Sequence, residues 1–184
     1  MNKLTLSLLI MTLFTSTSNS ANTLNPFFTD YETPFQIPPF TEIKMEHYKP
    51  GFEQGMQEHL DEINDITDNK DVATFKNTIV ALERTGETLD KVSDVFFNLL
   101  SSNTNDQMDI LAQEISPKLS AHRDSILLNK DLYNRVKSVY DSRKSVNLNP
   151  EQTRLFEETH KYFVRAGIQL DEQSMDCLLY TSDA

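Results

Sequence analysis

Cysteine occurs once in the 184 residues, at Cys177. A lone thiol cannot close an internal disulfide, so no disulfide framework holds this chain. That suits an exported protein large enough not to need staples. Glycine is scarce too, with four residues. Gly51, Gly55, Gly86 and Gly167 cannot be arranged into GxGxxG or a P-loop, which excludes the glycine-lined phosphate cradles. So few glycines fit helices better than a turn-rich all-β fold. Cations are outnumbered: 17 Lys and Arg face 28 Asp and Glu, a formal net charge of −11. A chain this acidic repels phosphate backbones, which argues against a nucleic-acid partner. The surplus charge keeps an exported protein soluble; an acidic wall for cationic peptides is the sharper alternative.

What is present begins with "MNKLTLSLLIMTLFTSTSNSANT". Lys3 supplies a positive n-region and Leu4 to Phe14 a mostly apolar stretch of signal-peptide length, too short for a comfortable membrane span. Ser18-Asn19-Ser20 puts small residues at −3 and −1 of a cleavage site; cutting after Ala21 is the close alternative. Residues 1–21 therefore read as a signal peptide, with an uncleaved anchor helix as the competing reading. Its removal takes Lys3 and leaves a mature chain of about −12. No second apolar run long enough to span a bilayer follows, so stable membrane insertion is not expected after cleavage.

Residues 22–45 form the next unit. "NPFFTDYETPFQIPPFTEI" carries Pro26, Pro34, Pro38 and Pro39, each without an N–H to donate and each biasing its predecessor away from helix. This predicts an extended arm laid over the protein's own helices, anchored by Phe27, Phe28, Phe35 and Phe40, with a PxxP ligand as the functional alternative.

From residue 46 to 173 the pattern is helical. Phe52, Met56, Leu60, Ile63 and Ile66 recur at helical spacing, predicting a helix from His47 or Pro50 to Thr67 with Pro50 in its first turn. A second helix starts at the cap Thr74 and buries Phe75, Ile79, Leu82, Leu89, Val92, Phe96 and Leu99, with Gly86 breaking or bending it. A third spans Asn105 to Leu128, with Met108, Leu111, Ile115, Leu119, His122 and Ile126 in register and a kink at Pro117. A fourth follows Asn129, with Leu132, Val136, Val139 and Tyr140 inward. The fifth has the clearest start: Asn149 as cap, Pro150 at the first position and Gln152 closing a capping box. Leu155, Thr159, Tyr162, Phe163 and Ala166 line its face, and Gly167 stops it. The predicted fold class is all-α, an antiparallel helical layer with short links.

Residues that do chemistry are harder to find. Two His one turn apart on a helix can grip one zinc ion while an adjacent Glu polarises bound water. No pair among His47, His59, His122 and His160 has that spacing. "HLDEI" comes nearest, with His59 and Glu62 in place, but Ile63 occupies the second histidine position of the inverted motif. Exposed polar residues are the better account of this pair. His122 falls on an apolar stripe, where a hydrogen-bonded packing residue is the usual reading. "DITDNKDVATFK" (65–76) resembles a calcium loop, but lysine stands at 70 and 76 where glycine and glutamate are required. There is no GxSxG elbow, and Cys177 has no histidine close to it in sequence. No residue of this chain is therefore assigned as catalytic, cofactor-binding or metal-ligating.

The specific signal lies in the wording of the helices. "PPFTEIKMEHYKPGFEQGMQEH", "TFKNTIVALERTGETLDKVSDVFFNLLSSNTND", "ISPKLSAHRDSILLN" and "LNPEQTRLFEETHKYFVRAG" follow one another with compatible gaps. Together they resemble the N-terminal region of the M3 family of zinc metallopeptidases, and its bacterial peptidyl-dipeptidase branch more than its oligopeptidase A branch. The resemblance covers Asn25 to Gln173. It implies a large helical enzyme, monomeric when complete, with a deep channel between two halves. It also implies one zinc ion held by HExxH and a downstream Glu, water attack on a peptide bond, and release of dipeptides from the C-terminal ends of short peptides. No HExxH occurs here, so no ligand or base is carried over. The chain corresponds to part of one channel wall and is expected to be inactive as it stands. With the leader, the expected address is exported, periplasmic in a Gram-negative host. From Ser174 to Ala184 the family pattern stops, and "CLLYTSDA" resembles translated sequencing-adapter read-through, so 174–184 is expected to be a non-native tail. A stand-alone exported helical binding module without catalysis is the alternative reading of the whole.

Overall fold

Asparagine side chains cap three of the α-helix starts among the described residues. A computed structural model describes residues 25–143, 147–171 and 174. The signal-peptide reading of 1–21 and nearly all of the 174–184 tail lie outside the described residues. Among the described residues five α-helices are present: α1 (Met45–Asp68), α2 (Glu87–Ser102), α3 (Asp106–Leu127), α4 (Lys130–Asp141) and α5 (Pro150–Arg165). A π-helical turn, Phe75–Val80, lies between α1 and α2. Among the described residues there is no strand, so the all-α class holds.

The caps act where short polar residues precede an apolar run. Asn105 Oδ1 accepts from the N–H groups of Gln107 and Met108 at 3.0 and 3.1 Å. Asn129 Oδ1 accepts from Leu132 N–H at 3.0 Å. Asn149 and Gln152 form the full reciprocal box: Asn149 Oδ1 accepts from Gln152 N–H at 2.8 Å and Gln152 Oε1 from Asn149 N–H at 3.1 Å. Each satisfies donors that a helix start leaves orphaned. Gly167, at φ 93°, ends α5. Its N–H donates to Val164 and that of Ile168 to the Phe163 carbonyl, the paired bonds of a Schellman stop. Asn149→Ala removes the cap of α5 and is expected to cost about 1 kcal/mol, read as a lower urea midpoint at unchanged slope.

Two apolar clusters form the interior. One gathers Phe27, Tyr48, Phe52, Leu89, Val92, Val95, Phe96, Met108, Leu111 and Ile115. The other gathers Ile63, Ile66, Ile79, Ile126, Leu132, Tyr133, Val136, Val139, Phe156, Phe163 and Ile168. At 24 residues and 1.5 Å per residue, α1 is roughly 36 Å long. It contributes its first half to one cluster and its second half to the other, as α3 does. The α1–α2 contact is the tightest. A Cβ on Gly55 would lie 2.8 Å from both the Cα and the backbone nitrogen of Leu89.

Several local expectations need correction. α1 begins at Met45, so Pro50 is inside the helix rather than in its first turn. The extra turn is held by His47 Nδ1 accepting from Lys44 N–H at 3.1 Å and by burial of Tyr48 against Phe27. The burial outweighs the one donor that Pro50 denies the helix. The second helix breaks at Gly86 as expected, leaving two elements. Thr74 caps the π turn, with Asn77 N–H donating to its Oγ1 at 3.1 Å, and the left-handed Gly86 (φ 83°) separates that turn from α2. The third helix keeps its expected bounds: α3 runs from Asp106 to Leu127 with Pro117 inside it.

The arm is not uniformly extended. It holds two 3-10 turns, Pro26–Phe28 and Pro34–Gln36. Phe27 and Phe28 anchor it, but Phe35 is 97% exposed and Phe40 is 52% exposed. Phe35 and Gln36 take positive φ, so the chain turns Phe35 outward instead of pressing it on the helices. On α5 the buried aromatics are Phe156 and Phe163, whereas Tyr162, expected inward, is exposed. The stripe is rotated by about one position, toward Phe156 and away from Tyr162.

Candidate functional site

Where α1 and α3 pass from one apolar cluster to the other, each carries a histidine. His59 stands one turn after Gly55 and one turn before Ile63; His122 stands between Leu119 and Ile126. His122 Nε2 lies 3.1 Å from His59 Nδ1, with the rings inclined at 58°. His59 Nε2 lies 3.0 Å from Thr85 Oγ1, in the turn ahead of α2. Thr85 in turn donates to the Leu82 carbonyl at 2.8 Å.

This arrangement assigns the tautomers. A hydroxyl has one proton, and that of Thr85 is spent on Leu82. Thr85 Oγ1 must then accept from His59 Nε2–H. Neutral His59 is left with a bare Nδ1, which accepts from His122 Nε2–H. The protons thus follow one direction: His122 to His59 to Thr85 to Leu82. The assignment rests on the network of partners. Thr85 is not an activated nucleophile, because His59 donates to it where a general base would accept its proton.

The neighbours tighten the constraint. Glu62, one turn after His59, accepts from Gly86 N–H at 2.7 Å. A Cβ on Gly86 would fall 2.9 Å from His59 Nδ1, and its positive φ also favours glycine. Burial holds both imidazoles below the usual histidine range; for His59 the carboxylates of Glu62 and Asp90 partly oppose this, and for His122 the nearby His59 adds to it. Asp90 is pushed up by burial and by Asp94.

The two histidines line a groove of about 500 Å3, walled by Leu89, Ile126 and Phe163 and rimmed by Tyr162. Glu83, Asp90 and Glu158 bring negative charge to it and Arg123 positive. An apolar floor with a few convergent polar groups is the usual make-up of a binding cleft.

The zinc ion implied by the family resemblance does not fit the residues present. Both ring nitrogens of His59 are engaged, Glu62 is spent on Gly86, and Ile63, only 1% exposed, is core. Among the described residues no three His, Cys, Asp or Glu gather to hold a metal. His59 is also not the exposed polar residue that the sequence reading preferred, because its ring faces His122. The packing account of His122 holds: it is 9% exposed and hydrogen-bonded. His160 stacks on Tyr140 at 3.8 Å, away from the other two. The calcium-like stretch is an interhelix turn clasped from α4. Arg135 Nη1 donates to the carbonyls of Asn69 and Asp71 at 2.7 and 3.2 Å. Cys177 lies outside the described residues.

The His59–Thr85 link escaped the sequence reading, although one signal was available. His59 falls in register with Phe52, Met56, Ile63 and Ile66, so its ring had to point inward.

Comparison with known proteins fits the wording of the helices. The chain is 40% identical over 148 residues to the dipeptidyl carboxypeptidase of Escherichia coli K12, covering 80% of this chain and 22% of that protein. Over this stretch the chain is similar to a dipeptidyl carboxypeptidase. The Salmonella typhimurium dipeptidyl carboxypeptidase is 38% identical over 149 residues, 81% of this chain and 22% of that protein. Oligopeptidase A of Haemophilus influenzae is 26% identical over 137 residues, 74% of this chain and 20% of that protein. The peptidyl-dipeptidase branch is thus favoured over the oligopeptidase A branch. The chain spans about a fifth of the length of these curated relatives. No family model matches it. In this chain, α1 to α5 are a helical unit whose own histidines are committed to packing.

Proposed function

We propose that this chain contributes part of the helical wall of an exported zinc metallopeptidase that releases dipeptides from the C-terminal ends of short peptides. The 40% identity to a dipeptidyl carboxypeptidase carries this reading. The zinc and its ligands belong, on this reading, to sequence other than these 184 residues, in keeping with the lack of a fit at His59 and Glu62. The wall restricts entry to short or unfolded peptides. The leader, residues 1–21, directs export, to the periplasm in a Gram-negative host. Residues 22–45 form the arm and 46–173 the family-like helical region; 174–184 are not native to it. The complete enzyme works as a monomer.

Two measurements test this. The mature chain, given zinc and an N-terminally blocked pentapeptide, is expected to release no dipeptide. Reading the source locus past codon 173 is expected to reveal an in-frame HExxH. A natural stop after Ala184 would instead establish the binding-module alternative.

A further inference from the structure

The hydrogen bonds across the groove floor all run one way, and the one from His122 to His59 needs a neutral His59. We propose that His122, His59 and Thr85 form a proton-sensitive latch. Neutral, they tie α3 to α1 and α1 to the turn ahead of α2; a proton on His59 breaks the tie between α3 and α1 and opens the groove.

The geometry carries the argument. His59 has one free position for a proton, Nδ1, and that atom faces His122 Nε2–H at 3.1 Å. Protonation sets donor against donor, so the contact between α1 and α3 is lost. His122 can take a proton at its own Nδ1 without breaking the pair, so His59 is the sensitive member. The turn ahead of α2 stays with α1, because Glu62 holds Gly86 N–H and His59 Nε2–H still donates to Thr85; the parting is between α3 and α1.

The charged groups around the pair set the sign. Glu62 on α1 and Asp90 on α2 favour a proton on His59. Glu83 in the turn and Glu158 on α5 line the same groove, as does the cationic Arg123 on α3. Burial is the larger influence on both rings and depresses both. The unfolded chain takes up these protons near the ordinary value of about 6.5, the folded chain only at lower pH. Between those values the unfolded state binds more protons. The stabilisation is complete above about pH 6.5 and is lost as pH falls toward the native values. Each unit of depression lowers the folding equilibrium constant about tenfold across that window.

The test uses the full chain. Imidazole NMR at pH 7.5 is expected to show both histidines as neutral Nε2–H tautomers, titrating below 6.5 on acidification. The melting midpoint is expected to fall from pH 7 to 5, with a rise in emission from a dye that binds exposed apolar surface. His59→Gln, His122→Gln together should flatten both responses. A neutral His59 carrying its proton on Nδ1, or titrating at or above the ordinary value, overturns the proposal. So does a double variant that keeps the wild-type slope, or an unaltered chain whose dye emission stays flat. If the double variant does not fold, the tautomer and titration of the unaltered chain decide the matter alone.

Discussion

Phe96→Ala is expected to lower stability by about 3–5 kcal/mol, enough to unfold a domain whose total stability is about 5–15 kcal/mol if it sits near the lower end. Phe96 is fully buried on α2. Its ring meets Tyr48 at 5.1 Å, Phe52 at 5.3 Å and Phe97 at 5.2 Å, all edge-on. Truncation removes the transfer free energy of the ring and leaves a cavity that three other rings border but cannot readily collapse into. Edge-on aromatic pairs add about 0.5–1.5 kcal/mol beyond area burial, which puts the cost toward the upper end. Urea unfolding measures it as a drop in midpoint at constant slope. Phe35→Ala is the matched control. That ring is 97% exposed, and its removal should change stability by no more than about 0.5 kcal/mol. Equal effects from the two variants would mean that α1 and α2 do not share the aromatic core described above.

The second large effect is expected from Gly55→Val. Two opposing terms decide its sign. Replacing a mid-helix glycine gains about 1 kcal/mol of helix propensity for alanine, and less for a β-branched residue. Against this, the new Cβ would lie 2.8 Å from two backbone atoms of Leu89. Backbone cannot rotate aside as a side chain can, so α1 and α2 must separate along their longest contact. Overpacking costs typically 1–3 kcal/mol and occasionally more, and two further methyls put valine at about 3 kcal/mol or above. The clash wins. Gly55→Ala should also destabilise, by less, and a melting series of glycine, alanine and valine would show a monotonic fall. An increase for alanine, as at an exposed helical glycine, would show that the helices are not in this close contact. Gly51 provides the contrast. Its Cβ would meet Val92 Cγ2 at 3.1 Å and Phe27 Cδ2 at 3.2 Å, side-chain atoms that can give by a few tenths of an ångström, so alanine there is expected to cost less.

Legibility in the sequence followed the range of the interaction. Asn149, Pro150 and Gln152 lie within one turn, and their box forms as read. Thr74 and Gly167 act equally locally. The arm went differently. Four phenylalanines between prolines look alike in one dimension, yet Phe27 is 1% exposed and Phe35 is 97% exposed. What separates them is whether a partner lies across from them: Phe27 has Tyr48 at 5.6 Å, and Phe35 sits in a turn of positive φ that directs it to solvent. α5 shows the same limit. Tyr162 and Phe163 both fit an apolar stripe drawn from Leu155, and only the position of α4 and the π turn selects Phe163.

The sequence by itself determined the helical class, most of the helix starts and stops and the resemblance to peptidases, because these rest on 3.6-residue periodicity, on caps a few atoms from their targets and on blocks of matching residues. It also determined that no zinc motif is written here. Only the tertiary structure decided that α1 serves two cores, that Gly55 is demanded by the backbone of Leu89, and that His59, Thr85 and His122 share one chain of hydrogen bonds. Those contacts join residues 26 to 63 positions apart. Nothing in local propensity brings such residues together; the packing of two apolar clusters around a polar seam does.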